Sequence, residues 1–363
     1  MKNLVRKHIL KVTPYKAGKP IEETKRELGL QEVIKLASNE NALGASPKAL
    51  AAIRKTVTTV NRYPDSQAFY LKKKLADKLS LVPENIVLGN GSDELIDVII
   101  KTFVEDDEEV LTADVTFLEY EILSRVNNRR VVTVPLKAFR FDLQEMKKKI
   151  TARTKLVFIA NPNNPTGTYV SKKELVGFVK DLPAHVLVVL DEAYDTFIDV
   201  PDFPRGTDLF KNNNLMVMRT FSKAYGLAGL RIGYAVGSPA LISYMECVRQ
   251  PFNVNLLAQA AAMAALDDDE FLRKTRKMVL DGKRYLSGAL RRMRIFFVPS
   301  VANFILVDTG RNGVEVFQAM LKEGVIVRDM QQYGLNRYIR VTIGTPAENK
   351  KFVKALKNVL NKK

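Results

Sequence analysis

Residues 185–194 read HVLVVLDEAY: an apolar run of strand length that stops abruptly at two acids and a tyrosine. The run is continuously apolar rather than alternating, which predicts a strand covered on both faces, as in a parallel sheet between helices. The same design stands on either side of it. KLVFIA (155–160) runs into NPNNPTG (161–167), and LMVMR (215–219) runs into TFSK (220–223). In open α/β sheets ligands bind beyond the carboxyl ends of the strands. Three successive strands therefore deliver Asn164, Asp191, Tyr194, Ser222 and Lys223 to one rim.

Working outward, EVLTA (109–113), RRVVTVPL (129–136) and RIGYAV (231–236) read as further strands. Between them lie helical patterns. SDELIDVIIKTFV (92–104) starts at Ser92 as the expected N-cap, and SKKELVGFVKDL (171–182) starts with a Ser171–Glu174 capping box. The fold class is α/β, with a mostly parallel sheet between helices. The last hundred residues differ. NFILVD (303–308), GVIVRDM (324–330) and RYIRVTIGT (337–345) read as a second, smaller α+β unit, closed by a helix from Thr345 with Pro346 and Glu348 in its first turn. The Ala-rich stretch LLAQAAAMAALDDDE (256–270) reads as the start of a long connecting helix. The domain ranges drawn from this are 1–44 (an N-terminal arm and part of the small domain), 45–255 (large) and 256–363 (small).

The 363 residues are 46% hydrophobic, long enough for two cores. No apolar run approaches the roughly 18 residues of a membrane span, and the basic N-terminus lacks a signal-peptide core. One cysteine, Cys247, excludes an intrachain disulfide and fits a reducing, cytoplasmic setting. The net charge of +17 raises nucleic-acid binding. However, the basic residues are spread along the chain, no nucleic-acid motif is present, and LKKKLADKL (71–79) reads as a solvated helix face. His8 and His185 have no metal-ligand spacing.

The rim residues suit one chemistry. A lysine that forms a Schiff base needs its charge suppressed. A pyridine cofactor needs a carboxylate opposite its ring nitrogen, donors at its phenolic oxygen, and hydroxyls, an arginine and a helix N-terminus at its phosphate. Lys223, Asp191, Tyr194 with Asn164, Thr220 with Ser222, Arg231, and the Ser92 helix after GNG (89–91) supply these in turn. The acids Asp93 and Glu94 sit awkwardly near a bound dianion and must point elsewhere.

NPNNPTG, DEAY and TFSKAYGLAGLRIGY (220–234), in that order, resemble the signature of the fold-type I pyridoxal-phosphate aminotransferases. ASNENALGASP (37–47), RYPD (62–65), GNGSDELI (89–96) and the segment 325–345 narrow the resemblance to the histidinol-phosphate aminotransferase group, from about residue 10 to the C-terminus. Two departures stand out: no proline follows the second Asn of NENALGASP, and ADVT (113–116) lacks the proline often found before Thr116. Both bear on loop stiffness more than on chemistry.

The resemblance implies roles residue by residue. Lys223 would form the Schiff base and shuttle the proton. Asp191 would pair with the pyridinium nitrogen, Tyr194 and Asn164 would bond the phenolic oxygen, and Phe117 would stack on the ring. Ser92, Asp93, Thr220, Ser222 and Arg231 would hold the phosphate, with Tyr63 reaching the partner's site in a homodimer. Arg340 and Arg328 would clamp the substrate's anionic group, and Tyr15 would help cover it. The implied reaction moves an amino group from L-histidinol phosphate to 2-oxoglutarate. An aromatic amino acid aminotransferase or a threonine-phosphate decarboxylase would share the cofactor residues and differ only in the pocket. Read singly, Phe117 is also compatible with core packing, Arg328 with a surface strand and Tyr63 with a turn.

Overall fold

The structure, a computed structural model, describes residues 4–210 and 214–361. Residues 1–3, 211–213 and 362–363, which fall inside the sequence-drawn domain ranges, lie outside the described residues.

The strands of the first two-thirds are β1 (Ile34–Lys35), β2 (Ile86–Gly89), β3 (Glu109–Ala113), β4 (Arg130–Val134), β5 (Thr154–Ala160), β6 (Leu187–Asp191), β7 (Leu215–Thr220) and β8 (Gly233–Val236). All but β1 form one sheet in the order β2-β8-β7-β6-β5-β3-β4. Its neighbours from β7 to β4 are parallel, and β8 runs antiparallel to both β7 and β2. The continuous apolar runs have the cause inferred from sequence. Leu156 to Ile159 on β5 and Val188 to Leu190 on β6 are wholly buried between helical layers, and each large side chain contributes about 1.5–3 kcal/mol of transfer free energy.

The second unit comprises β9 (Phe297–Val298), β10 (Phe304–Asp308), β11 (Val325–Ile326), β12 (Arg328–Asp329) and β13 (Tyr338–Thr342). β12-β13-β10-β9 form an antiparallel sheet, while β11 pairs in parallel with β1. GVIVRDM is thus not one strand. Its two halves pair with different partners on either side of the buried Val327. Through β1 the N-terminal segment joins the small unit, and Leu36 packs in its core. The closing helix Pro346–Asn361 starts as expected: Thr345 Oγ1 and Glu348 bond each other's backbone or side chain reciprocally.

Two expectations need correction. The Ala-rich stretch does not begin the long helix. Leu256–Ala265 is a separate helix whose Ala258, Ala261, Ala262 and Ala265 pack in the core of the large sheet, against the helix Pro47–Thr56. The long helix, Asp269–Arg292, starts afresh because Asp268 caps it, accepting from the Phe271 N–H. Ser92 is also not an N-cap. It is the first helical residue of Ser92–Phe103, and Gly91, at φ 83°, takes the cap position without a side-chain bond. The Gly91 backbone (φ 83°, ψ 173°) lies where L side chains rarely go, so the position calls for glycine, and the Arg231 guanidinium fills the space a Cβ would take.

Candidate active site

The carboxyl ends of β5, β6 and β7, the N-terminus of Ser92–Phe103, the N-terminal residues Ser38–Glu40 and Arg340 of β13 surround one cleft of about 270 Å³. Its wall includes Lys223, Asp191, Tyr194 and Asn164, and on another side Ser92, Asp93, Thr220, Ser222 and Arg231. Phe117, Tyr15 and Arg340 complete the expected residues that face it. Two do not. Arg328 is buried beside the cleft, its guanidinium 5.2 Å from the Tyr15 ring and bonded to Gln332 Oε1 at 3.2 Å. Tyr63 lies on the outer surface, 81% exposed, stacked on Phe252 at 4.6 Å.

Lys223 follows β7 in a tight loop. Its Nζ donates to Ser38 O at 3.2 Å and sits 5.9 Å from the Tyr194 ring centroid. Desolvation, aided by the positive charge of Arg340, lowers its pKa to about 8. The loop is pressed against the NENALGASP segment. At Gly226 (φ 71°) a Cβ would come within 2.0 Å of Gly44 O. Asn41 Nδ2 donates to Ala224 O at 2.9 Å and to Thr275 Oγ1 at 3.0 Å, fastening the segment that lacks the expected proline. The second missing proline is offset similarly: Thr116 Oγ1 donates to Asn163 Oδ1 at 2.8 Å, and Asn163 Nδ2 donates to Val115 O at 3.0 Å. The loop bearing Phe117 is thereby tied to the NPNNPTG loop.

Asp191 ends β6 and is 6% exposed. It accepts from Tyr120 Oη at 2.6 Å and from the Ala193 N–H at 3.0 Å, yet burial still pushes its carboxyl up to about 6. Tyr194 accepts from Asn39 Nδ2 at 3.0 Å, which leaves its own O–H free to donate. Burial pushes that phenol up to about 12, so it remains protonated. Asn164 Oδ1 accepts from Arg340 Nη1. A guanidinium only donates, so this contact fixes the amide and leaves Asn164 Nδ2 to donate. Two donors are therefore held ready for an acceptor in the cleft.

Of the two awkward acids only Glu94 points elsewhere; Asp93 stays on the cleft wall, where Arg231 neutralises it. Asp93 Oδ2 accepts from Arg231 Nη2 at 3.0 Å. Glu94 turns away to Asn90 N and Asn253 Nδ2. The first amides of Ser92–Phe103 are left for an anion. Arg231 itself holds a left-handed conformation, φ 56°, a strained state for a non-glycine residue.

Across β12 and β13, Arg328 and Arg340 are directly opposed. Both are at least 94% buried. Like charges facing each other across strands are unfavourable. Arg340 Nη2 donates to Ala37 O at 2.7 Å, but its Nε is buried without a hydrogen-bond partner among the described residues. This pair calls for an anionic ligand.

Sequence reasoning missed Tyr120, Asn39 and Glu119. Tyr120 lies on the core face of the helix Glu119–Val126 and carries no motif. Asn39 stood inside a quoted motif without a role. Glu119 lines the cleft two residues past Phe117.

The sequence profile of the aminotransferase class I and II family matches residues 31–356. The chain belongs to that family. It is 47% identical over 357 residues to the histidinol-phosphate aminotransferase of Moorella thermoacetica, covering 98% of this chain and 92% of the relative. It is also 47% identical over 360 residues to that of an Anaeromyxobacter species, covering 98% and 99%. Among solved structures, the histidinol-phosphate aminotransferase of Sinorhizobium meliloti in complex with pyridoxal-5'-phosphate superposes with a TM-score of 0.89 at 30% identity, covering 97% of this chain and 96% of that one. The aspartate aminotransferase of Thermus thermophilus with maleate shares the fold, with a TM-score of 0.84 at 22% identity. For this aminotransferase the donor set fits a pyridine-aldehyde phosphate. The cleft carries a lysine of lowered pKa, a buried carboxylate, the free donors of Tyr194 and Asn164, and a helix N-terminus with an arginine and two hydroxyls.

Proposed function

We propose that this aminotransferase uses pyridoxal 5'-phosphate to transfer the amino group of L-histidinol phosphate to 2-oxoglutarate, giving imidazole acetol phosphate and glutamate, a step of histidine biosynthesis. The observation that carries the reading is the opposed, buried Arg328–Arg340 pair beside the Lys223 cleft, in a chain close to relatives of that name. When bound, the cofactor supplies an aldehyde that takes up the donor's amine and a pyridine ring that accepts the electron pair released at Cα. Lys223 anchors the aldehyde, and its amine, its charge suppressed by desolvation, moves the proton at the substrate's Cα. Asp191, oriented by Tyr120 and Ala193, holds the proton of the ring nitrogen. Tyr194 and Asn164 donate to the phenolic oxygen, and Phe117 covers the ring. Ser92 and Asp93 through their amides, with Thr220, Ser222 and Arg231, hold the phosphate.

The arginine pair receives the substrate's anion. Histidinol phosphate has no α-carboxylate; its phosphate hangs from the carbon next to the amine-bearing one. The same forks then take the phosphate in one half-reaction and the glutamate α-carboxylate in the other. Tyr15, 40% exposed and over Arg328, covers the bound substrate.

The working unit is a homodimer in which Tyr63 completes the partner's phosphate site. Supporting this, Val60, Tyr63, Phe69, Tyr70 and Tyr244 are each more than half exposed, a quantity of exposed apolar surface suited to subunit contact. The chain divides into a large domain from residue 45 to Leu266 and a small one from Asp268 onward that recruits the N-terminal segment. The boundary is moved from 255 because the Leu256–Ala265 helix packs in the large core. No described helix is long and apolar enough to cross a membrane; we assign the enzyme to the cytoplasm from its soluble substrates and sparse cysteine.

The direct test is a steady-state assay of glutamate formation from L-histidinol phosphate and 2-oxoglutarate, with phenylalanine as the competing donor and CO2 release from threonine phosphate followed in parallel. The reading requires kcat/KM for histidinol phosphate to exceed the others by at least about 100-fold, as expected when buried charged groups are matched by one substrate alone. A preference for phenylalanine would reject it.

A further inference from the structure

The cleft is built for anions, with Lys223, Arg231 and Arg340 on its wall, yet it also carries the acids Glu40, Asp93, Glu119 and Asp191. Three of these have partners. Asp93 is bonded to Arg231, Asp191 accepts from Tyr120 and Ala193, and Glu40 pairs with Lys35 at 2.9 Å. The Glu119 carboxyl group has no hydrogen bond and no ion pair among the described residues, and the charged group nearest in effect, Asp93, repels it. A half-buried carboxyl group without a donor is costly unless a ligand supplies one.

Its position is fixed. Glu119 opens the helix Glu119–Val126, two residues past Phe117 and one before Tyr120. Tyr120 is clamped by its bond to Asp191 and by flat stacking on Phe158 at 4.7 Å. The carboxyl group is therefore held by the same element that carries the groups facing the cofactor.

The proposed donor has three recognisable parts. Its phosphate has the arginine pair and its amine has the Lys223 end of the cleft. The imidazole lacks a matching group among the residues assigned so far. We propose that Glu119 is a specificity-determining residue whose carboxyl group bonds a ring nitrogen of the donor's imidazole. The inference rests on the histidinol-phosphate reading above. Burial and Asp93 push the Glu119 carboxyl up to about 7, close to the ordinary imidazole value of about 6.5. Carboxylate with neutral ring, carboxylate with imidazolium, and carboxylic acid with neutral ring each make one hydrogen bond, so the contact survives across neutral pH. A phenyl ring makes none and leaves the carboxyl group buried without a partner.

The test compares L-histidinol phosphate with its phenyl analogue, 2-amino-3-phenylpropyl phosphate, as donors for wild type, Glu119→Leu and Glu119→Gln holoenzymes. Cofactor content and melting temperature are measured on each. Glu119→Leu is expected to lower kcat/KM for histidinol phosphate about tenfold or more, the value of one hydrogen bond to a charged group, while the phenyl analogue stays level or improves. Glu119→Gln, which is nearly isosteric and folds if Leu does not, is expected to lose several-fold on histidinol phosphate alone. Equal losses on both donors, or none on either, would overturn the assignment, the former marking Glu119 as a support of the cofactor or fold. A wild type that does not prefer histidinol phosphate over phenylalanine would instead remove the functional reading, and this proposal with it.

Discussion

Replacing Asp191 by Asn should make the cofactor-free protein more stable at alkaline pH while abolishing activity. Asp191 is 6% exposed, and burial raises its carboxyl from 3.8 to about 6 in the folded chain. A carboxyl whose folded pKa lies above its unfolded value favours folding only while protonated. Stability is lost as pH rises from the unfolded value through the folded one, and the full loss is present above it. A shift of about two units corresponds to roughly 3 kcal/mol above pH 6 and under about 1 kcal/mol at pH 4. Asn keeps the Ala193 N–H bond through its Oδ1, and the Tyr120 hydroxyl can accept from its Nδ2, so little is lost in exchange. With an unfolding entropy of roughly 2.1 cal/mol/K per residue, 3 kcal/mol corresponds to about 4 °C for a chain of 363 residues. The assay is differential scanning calorimetry of cofactor-stripped wild type and Asp191→Asn at pH 8 and pH 4. A gain of several degrees at pH 8 that shrinks at pH 4 is expected. The same difference at both pH values, or no gain, would refute the idea that Asp191 is held ionised against burial for the cofactor's sake.

Tyr120→Phe removes the strongest visible support of the Asp191 carboxylate. A hydrogen bond to a charged group is worth about 1.5–3 kcal/mol, so the acidic limb of the pH–rate profile should move up by about one to two units; an unmoved limb would contradict the role. Lys223→Arg keeps the charge but not the chemistry: borohydride reduction and peptide mass spectrometry should find a pyridoxyl group on Lys223 of the wild type and none in the variant. Arg340→Lys cannot serve Asn164, Ala37 and an anion at once, so kcat/KM should fall about 100-fold or more for both donor and acceptor; a loss confined to one substrate would argue against a shared clamp. Mixing inactive Lys223→Ala and Tyr63→Ala subunits should restore about a quarter of wild-type sites if each site draws on both chains of a two-fold dimer; no restoration would place Tyr63 outside the site.

The middle of the fold was legible because its signals are local. Continuous apolar runs at β5, β6 and β7 each end in chemically loaded loops, and that alone brought Asn164, Asp191 and Lys223 to one rim. The contacts that tune the site were not legible, because they join residues distant in sequence. Tyr120 reaches Asp191 across 71 positions and Asn39 reaches Tyr194 across 155, with no spacing rule to reveal either. The split of GVIVRDM between two sheets depends on which strand each half meets, not on its own composition. The Ser92 cap failed for a different reason. The preference of serine for that position gave way to a glycine whose backbone, at φ 83° and ψ 173°, only glycine adopts readily.

The central claim is that one lysine and one arginine pair make this cleft an acceptor of the histidinol phosphate amine. The most direct measurement is a single-turnover experiment: the absorbance of the bound cofactor is followed on mixing with L-histidinol phosphate, or separately with phenylalanine, without 2-oxoglutarate. The account predicts full loss of the band at far lower concentrations of histidinol phosphate than of phenylalanine, and its return when 2-oxoglutarate is added. Absence of the band after incubation with pyridoxal 5'-phosphate, or loss of it only with phenylalanine, would contradict the account.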